Sequence, residues 1–197
     1  GQASLEVAQL WLRCGEWKGP KYLDGQDVGG IAPSLDAKGR RAGNPYVLRT
    51  NLDQSFQGSI VLGMGFTMSP DEAQALIASE FRNAQVLFPY LNGEDLNDGP
   101  RHLPRRWVIN FHDWSLGQAE SFPDCLRIVV SEVKPEREQN NRTSRRERWW
   151  QFAERQSALY AAIEGRTRVL AIARVSKVVQ VTFVTAAQVF SDATVVF

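Results

Sequence analysis

The amino-acid sequence predicts an α+β fold in which β-rich mixed sheets are combined with a few helices. Its 197 residues suit a single domain that can bury a hydrophobic core of its own. Hydrophobic residues make up 43% and charged residues 23%, which excludes a disordered or fibrous chain. Short apolar runs bounded by turn residues recur along the chain, whereas helical spacing is confined to two stretches. Strand is therefore expected to predominate over helix.

The first predicted elements are two short strands and a helix. Apolar residues at 46–48 and 60–62 are bounded by turn-forming residues, which is typical of short strands. Ser69 can cap a helix, Pro70 suits the first helical position, and Glu72 completes a capping box. A helix is therefore predicted over residues 69–79.

The central and last parts of the chain contain further strands and one long helix. Strands are predicted at 86–91, 107–111, 126–130, 168–175, 178–184 and 189–197. Residues 92–95 favour a turn. Between 143 and 164 apolar residues recur at helical spacing and predict one long helix. The residues near one face of this helix would be Trp149, Phe152, Leu159, Tyr160 and Ile163.

The composition says little about partners. The chain has 23 basic and 22 acidic residues, so any surface for a polyanion requires charges that are segregated in space. Cys14 and Cys125 are too few for a disulfide framework and fit no zinc spacing, which predicts a reducing, cytoplasmic location. No apolar run approaches the ~20 residues that span a bilayer, so no membrane partner is expected.

Both ends of the chain predict that it is an excised part of a longer polypeptide. It begins with Gly1 rather than methionine and ends at Phe197, inside a predicted strand. A native C-terminus is usually polar and frayed.

A basic stretch lies between Lys134 and Arg148. Six basic and three acidic residues give it a local net charge of +3. Arg and Lys neutralise phosphates, and Arg and Asn can pair with purine edges, so these residue types are typical of DNA-binding surfaces. The alternative is a solvated helix face and loop. Trp149 and Trp150 follow directly, and their helical spacing favours core positions over base-stacking platforms.

A second pattern is typical of metal-dependent nucleases. Asp124 after a proline, followed by Glu132 and Lys134, matches a PD…ExK arrangement, in which two carboxylates bind Mg²⁺ and the lysine lies beside the attacking water. If residues 125–131 form a strand, a rise of ~3.3 Å per residue separates the carboxylates by roughly 26 Å, too far for a shared ion. The alternative is a strand whose polar ends face water.

Nine short segments span nearly the whole chain. They are GEWKGP at 15–20, LDG at 23–25, GS at 58–59, VLGMGF at 61–66, FPYLNGEDLN at 88–97, RWVINF at 106–111, VKPER at 133–137, RWWQF at 148–152 and RVSK at 174–177. In this order they resemble the target-recognition region of MmeI-like (type IIL) restriction–modification enzymes. These are single-chain proteins that carry a class I adenine N6 DNA methyltransferase.

The resemblance implies that residues 1–197 are a DNA target-recognition domain with no catalytic, cofactor-binding or metal-binding residues of its own. In these enzymes an upstream methyltransferase domain uses S-adenosylmethionine to methylate an adenine that is flipped out of the duplex. A nuclease domain, where one is present, lies at the N-terminus. The implied partners are double-stranded DNA and the methyltransferase domain of the same parent chain.

The residues expected to contact DNA are chosen by their chemistry, and no individual contact is carried over from the resemblance. Those expected to position phosphates are Lys134, Arg137, Arg142, Arg145, Arg146 and Lys177. Further candidates in a polar loop are Asn92, Glu94 and Asn97, with a purely structural turn as the alternative. The core positions are Trp107, Trp149 and Trp150. Two other functions stay open: a Mg²⁺-dependent nuclease that uses Asp124, Glu132 and Lys134, and a structural scaffold between subdomains.

Overall fold

The computed structural model of the chain describes residues 14–32, 36–37 and 49–197. These residues form ten strands in three sheets together with seven α-helices, which confirms the predicted α+β class. The expectation that strand would predominate over helix is wrong, because the strands are more numerous than the α-helices but shorter, and the α-helices hold more of the described residues. The chain divides into two units, Gly1–Arg49 and Thr50–Phe197. The strand predicted at 46–48 lies outside the described residues.

The described part of the first unit contains an antiparallel hairpin of β1 (Lys21–Leu23) and β2 (Gln26–Val28). Asp24 and Gly25 connect the two strands and have φ angles of 51° and 77°. Two successive residues with positive φ form the type I′ turn, whose twist matches that of a hairpin, and Asp-Gly is a preferred pair there.

The second unit contains two four-stranded sheets. Their strands are β3 (Phe56–Gln57), β4 (Thr67–Met68), β5 (Leu87–Leu91), β6 (Arg106–Ile109), β7 (Arg168–Ala173), β8 (Thr182–Thr185), β9 (Val189–Phe190) and β10 (Thr194–Val196). One sheet has the order β3-β10-β7-β8, with antiparallel neighbours throughout. The other has the order β4-β6-β5-β9, in which only β5 and β9 are parallel. Because β9 and β10 lie in different sheets, residues 191–193 connect the two.

Short helices surround these sheets. The α-helices are α1 (Pro70–Ser79), α2 (Gly93–Asp98), α3 (Leu116–Ala119), α4 (Pro123–Glu132), α5 (Lys134–Glu138), α6 (Thr143–Glu147) and α7 (Ser157–Ile163). Turns of 3₁₀ helix occur at Arg49–Asn51, Met64–Phe66 and Phe81–Gln85. In the part of the chain that the structure describes, no helix is long and apolar enough to cross a membrane.

Two hydrophobic clusters form the core of the second unit. The first contains Val108 of β6, Phe66 and Val129 of α4. Trp107, Trp149 and Trp150 pack against it while partly exposed, so their predicted core positions are confirmed in part. The second cluster lies mainly on the other sheet.

The helix predicted over 69–79 is confirmed as α1. Ser69 Oγ accepts a hydrogen bond from the backbone N–H of Glu72, and the Glu72 carboxylate accepts one of 2.8 Å from the backbone N–H of Ser69. Hydrogen bonds from Ser69 stabilise the carboxylate and lower the pKa of Glu72, and the bond from the backbone N–H of Ser69 has the larger effect. The sequence therefore determined this helix start locally.

The strand predicted at 126–130 is wrong, because these residues lie in α4. Pro123 occupies the first turn, where its missing N–H costs no hydrogen bond. Cys125, Val129 and Val133 recur every four residues and are fully buried. Their shared face packs into the first cluster, and this burial overrides the strand preference of the β-branched residues.

The single long helix predicted near 143–164 is also wrong. α6 ends at Glu147 and α7 begins at Ser157. Between them Glu154 pairs with Ile60 as an isolated antiparallel bridge, and Gln156 has a left-handed φ of 57°. The intervening backbone thus hydrogen-bonds to a distant segment, which interrupts the helix.

The other predicted strands are confirmed in part. Those at 86–91, 107–111 and 168–175 correspond to β5, β6 and β7, and that at 189–197 divides into β9 and β10. β8 begins four residues later than expected. Residues 60–62 contribute only the Ile60 bridge, and the turn expected at 92–95 is the capped start of α2.

Candidate nucleic-acid interface

The basic segment, residues 134–148, folds into α5 and α6, which follow α4 directly. Val133 is fully buried at the junction of α4 and α5 and anchors the start of the segment in the core. Both helices have only five residues, so nearby loops and side-chain contacts determine where their charges lie.

Lys134 is partly exposed at the start of this segment. Its Nζ lies 3.8 Å from Glu138 Oε1 and 5.2 Å from the centroid of the Trp149 ring. The cation therefore lies over an aromatic face beside one carboxylate, and an ion pair this near to solvent contributes little net stability.

Arg137, which was expected to position phosphates, lies inside the fold and not on the outer surface. Its side chain is 1% exposed. Nη2 donates hydrogen bonds to the carbonyl oxygens of Val61 at 2.8 Å and Gln151 at 3.3 Å. The guanidinium also lies over the Phe66 ring, 5.8 Å from its centroid. It therefore joins backbone segments inside the fold and cannot reach the outer surface.

The three remaining arginines predicted in this segment differ in how their charges are held. Arg142 is exposed, and its backbone N–H donates a 3.0 Å hydrogen bond to Asn140 Oδ1. Among the described residues, no hydrogen bond or ion pair is found for its guanidinium. Arg146 donates to Asn140 O at 2.6 Å and to Thr143 Oγ1 at 3.1 Å, which fixes the loop between α5 and α6. Arg145 makes a 3.9 Å ion pair with Glu154.

The other predicted contact residues lie on and near α2. Asn92 is its N-cap: Oδ1 accepts hydrogen bonds from the backbone N–H of Gly93 and from Ser191 Oγ. Asn97 donates a 2.9 Å hydrogen bond to Val175 O, close in sequence to the exposed Lys177, and Glu94 is exposed. Within the described residues, no hydrogen bond or ion pair joins this group to the basic segment.

Four arginines converge on one cavity of about 240 Å³, which we call the arginine cavity. Its lining residues are Arg137, Ser144, Arg145, Arg148, Gln151, Phe152, Ala153 and Arg155. No acidic side chain is among them. Arg148 lay within the basic stretch of the sequence, so its charge was a signal. Arg155 gave no such signal, because it follows the bridge between Glu154 and Ile60, which are distant in sequence.

An adjoining cavity of about 380 Å³ shares Phe152 and Arg155 with the arginine cavity. Its walls include the rings of Phe88, His112 and Tyr160 and the side chain of Gln188. Gln188 is 4% exposed, and neither Oε1 nor Nε2 has a hydrogen-bond partner among the described residues. The pKa of His112 is lowered mainly by burial, and the positive charge of Arg155 lowers it further.

The three residues of the nuclease pattern are not brought together. Asp124 and Glu132 lie at opposite ends of α4, and eight residues of helix rise about 12 Å. Asp124 faces Arg127 at 3.5 Å, while Lys134 faces Glu138. In residues 14–32, 36–37 and 49–197, no group of three His, Cys, Asp or Glu side chains could hold a metal ion.

No protein-family model matches the chain, and no curated protein matches it. Among solved structures, one that matches is the type IIL restriction–modification enzyme MmeI, which was determined in complex with DNA. The similarity has a TM-score of 0.57 at 15% sequence identity and covers 87% of this chain. The chain has the fold of part of MmeI. It corresponds to 22% of the MmeI chain.

The MmeI similarity confirms, at the level of the fold, the resemblance that the nine sequence segments indicated. It covers most of this chain, so it concerns the architecture as a whole rather than one motif. The candidate DNA contacts rest on the charges and exposures of this chain's own residues.

Proposed function

We propose that this chain is the DNA sequence-recognition domain of a larger S-adenosylmethionine-dependent adenine N6 DNA methyltransferase of the restriction–modification type. The supporting observation is the shared fold with part of MmeI, a DNA-bound restriction–modification enzyme. In this proposal the chain itself performs no chemistry. The rest of the parent chain binds the cofactor and methylates the flipped adenine in the cytoplasm.

The basic segment is the proposed contact with the DNA backbone. Lys134, Arg142, Arg145 and Arg146 are exposed or partly exposed. Lysine and arginine at such positions neutralise phosphates and set the position of a protein on the duplex. Arg137 is not among these exposed side chains, because only 1% of it is exposed.

A second, separate contact is proposed at α2. Lys177 would bind phosphate there, and Glu94 and Asn97 offer side-chain acceptors and donors to base edges. Asn92 is committed to capping α2, so its side chain is not free for a base.

Duplex binding by this chain tests the proposal. Fluorescence anisotropy with a mixed-sequence duplex would give the affinity at several NaCl concentrations. The logarithm of the binding constant should fall linearly with the logarithm of salt, because bound cations release counterions from DNA. Replacing Arg142, Arg145 and Arg146 by Ala should weaken binding and reduce the slope by about 2–3, since each lost phosphate contact removes ~0.9.

A charge-matched control replaces Arg82, Arg127 and Arg166, which are exposed in other elements. This variant should keep most of the affinity and slope. Equal effects in the two variants would show that only the total charge matters and would refute the choice of surface. A structural scaffold would be favoured by two results together. The unchanged chain would bind no duplex, and a parent enzyme with the triple Arg→Ala change would keep full activity.

A further inference from the structure

The buried guanidinium of Arg137 has two nitrogen donors without a hydrogen-bond partner among the described residues. Nη2 is hydrogen-bonded to two carbonyl oxygens. Among the described residues, none accepts a hydrogen bond from Nε or Nη1, although both atoms are buried. A buried donor without a partner costs about 1–3 kcal/mol, and more when it is charged. Arg137 also lines the arginine cavity, so an acceptor in the cavity could satisfy these donors.

Among the described residues, only two of the four arginines around the arginine cavity have an ion pair. Arg155 pairs with Asp113 at 3.3 Å, and Arg145 pairs more loosely with Glu154 at 3.9 Å. Arg137 and Arg148 have no ion pair within the described residues. Burial, first, and then the positive charge of Arg145 lower the pKa of Arg137, while the negative charge of Glu136 partly offsets them.

The shape of the cavity suits a small anion. Its volume of about 240 Å³ is several times the ~30 Å³ that a water molecule occupies in liquid. Ser144 and Arg148 are exposed, so the cavity opens to the surface. Ser144 adds a hydroxyl donor, and arginine forks match the tetrahedral oxygens of phosphate.

We infer that the arginine cavity is a binding site for a phosphate group, with Arg137 at its buried end and Arg148 at its mouth. The inference deepens the proposed function, because a backbone phosphate of DNA is one source of this group. A free phosphate ion is the other source, and the two are separated by experiment.

The first experiment measures the thermal midpoint of the chain in sodium phosphate and in sodium chloride of equal ionic strength. A ligand that binds only the folded state at about 100 times its dissociation constant should raise Tm by about 5 °C or more. Arg148→Ala and Arg145→Ala should each lose most of this rise. Arg82→Ala, which removes an exposed arginine outside the cavity, should retain it.

If phosphate stabilises the unchanged chain no more than chloride does, the inference is overturned. The same holds if Arg148→Ala and Arg145→Ala keep the full rise in Tm. Both variants act on partly or fully exposed side chains, so the chain should still fold and the comparison stays interpretable.

The second experiment identifies the source of the phosphate. If Arg148→Ala weakens duplex binding several-fold and phosphate competes with the duplex, the site holds a DNA backbone phosphate. If Arg148→Ala abolishes the phosphate-induced rise in Tm but leaves the duplex affinity unchanged, the site holds free phosphate. A phosphate-induced rise in a chain that binds no duplex supports the site while it refutes the proposed function.

Discussion

The Nη2 of Arg137 donates a 2.8 Å hydrogen bond to the carbonyl oxygen of Val61, which lies 76 residues earlier in the chain. A second bond from the same nitrogen reaches Gln151 O, 14 residues later. One charged side chain therefore joins three segments: the start of the second unit, α5 and the region after α6. A residue type expected on the surface is a structural element of the core.

Replacing Arg137 by Met tests this role. The change leaves the carbonyl oxygens of Val61 and Gln151 without their buried donor, and loss of a buried charged hydrogen-bond group destabilises by about 2–4 kcal/mol. Urea unfolding would measure the loss. The matched control is Arg127→Met, on the exposed side of α4, with an expected effect within about 0.5 kcal/mol. Similar losses in both variants would contradict the structural role.

Gly58 lies where two backbones approach too closely for any side chain. A Cβ there would overlap the carbonyl oxygen of Ser191 and lie 2.6 Å from that of Phe190. Gly58→Ala should therefore destabilise the chain by about 1–3 kcal/mol or more, because the segment that connects the two sheets must shift. Gly117→Ala is the control, since a Cβ there meets nothing within 4 Å in helix α3. It should be neutral or stabilise by up to about 1 kcal/mol; equal destabilisation would argue against the close approach.

His112 should make stability depend on pH. Its pKa is lowered from 6.5, mainly by burial, so the folded chain binds the proton more weakly than the unfolded chain does. The free energy of unfolding is then full above about pH 6.5 and falls as the pH drops below that value toward the lowered pKa. His112→Asn should flatten this part of the profile, and Asn tolerates the positive φ of 52° there. His102→Asn is the control and should keep the dependence. Urea unfolding at several pH values from 7.5 to 5 would measure the free energy of unfolding. The prediction would be contradicted if its pH dependence were the same in both variants.

Cys125 should resist alkylation in the folded chain. Burial is the main cause that raises the pKa of its thiol to about 12, and the negative charge of Asp124 adds to it. Because the thiolate is the reactive form, the thiol should react slowly at neutral pH. Iodoacetamide at pH 8 should therefore label the exposed Cys14 and leave Cys125 unmodified, as mass spectrometry of peptides would show. Unfolding in urea provides the control, in which both cysteines react. Fast labelling of Cys125 without urea would contradict its burial.

Some of the candidate interface was predictable from sequence and some was not. The basic stretch and the order of the nine segments are local properties of the chain, and the fold shared with part of MmeI agrees with them. The arginine cavity was not predictable as a site. Arg155 reaches it because Glu154 pairs with Ile60, and no pattern near Arg155 indicates that pairing.

The sequence by itself determined the elements whose signals are local. The capping box of Ser69 and Glu72 specified the start of α1, and the apolar runs of β5, β6 and β7 specified three central strands. Only the tertiary structure decided that Leu126 to Val130 are helical and that Arg137 is internal. In both cases the deciding partners lie far away in the chain: the core that buries Val129, and the carbonyl oxygens that bind the guanidinium. Local propensities differ by ~1 kcal/mol or less, and burial of a side-chain face outweighs them.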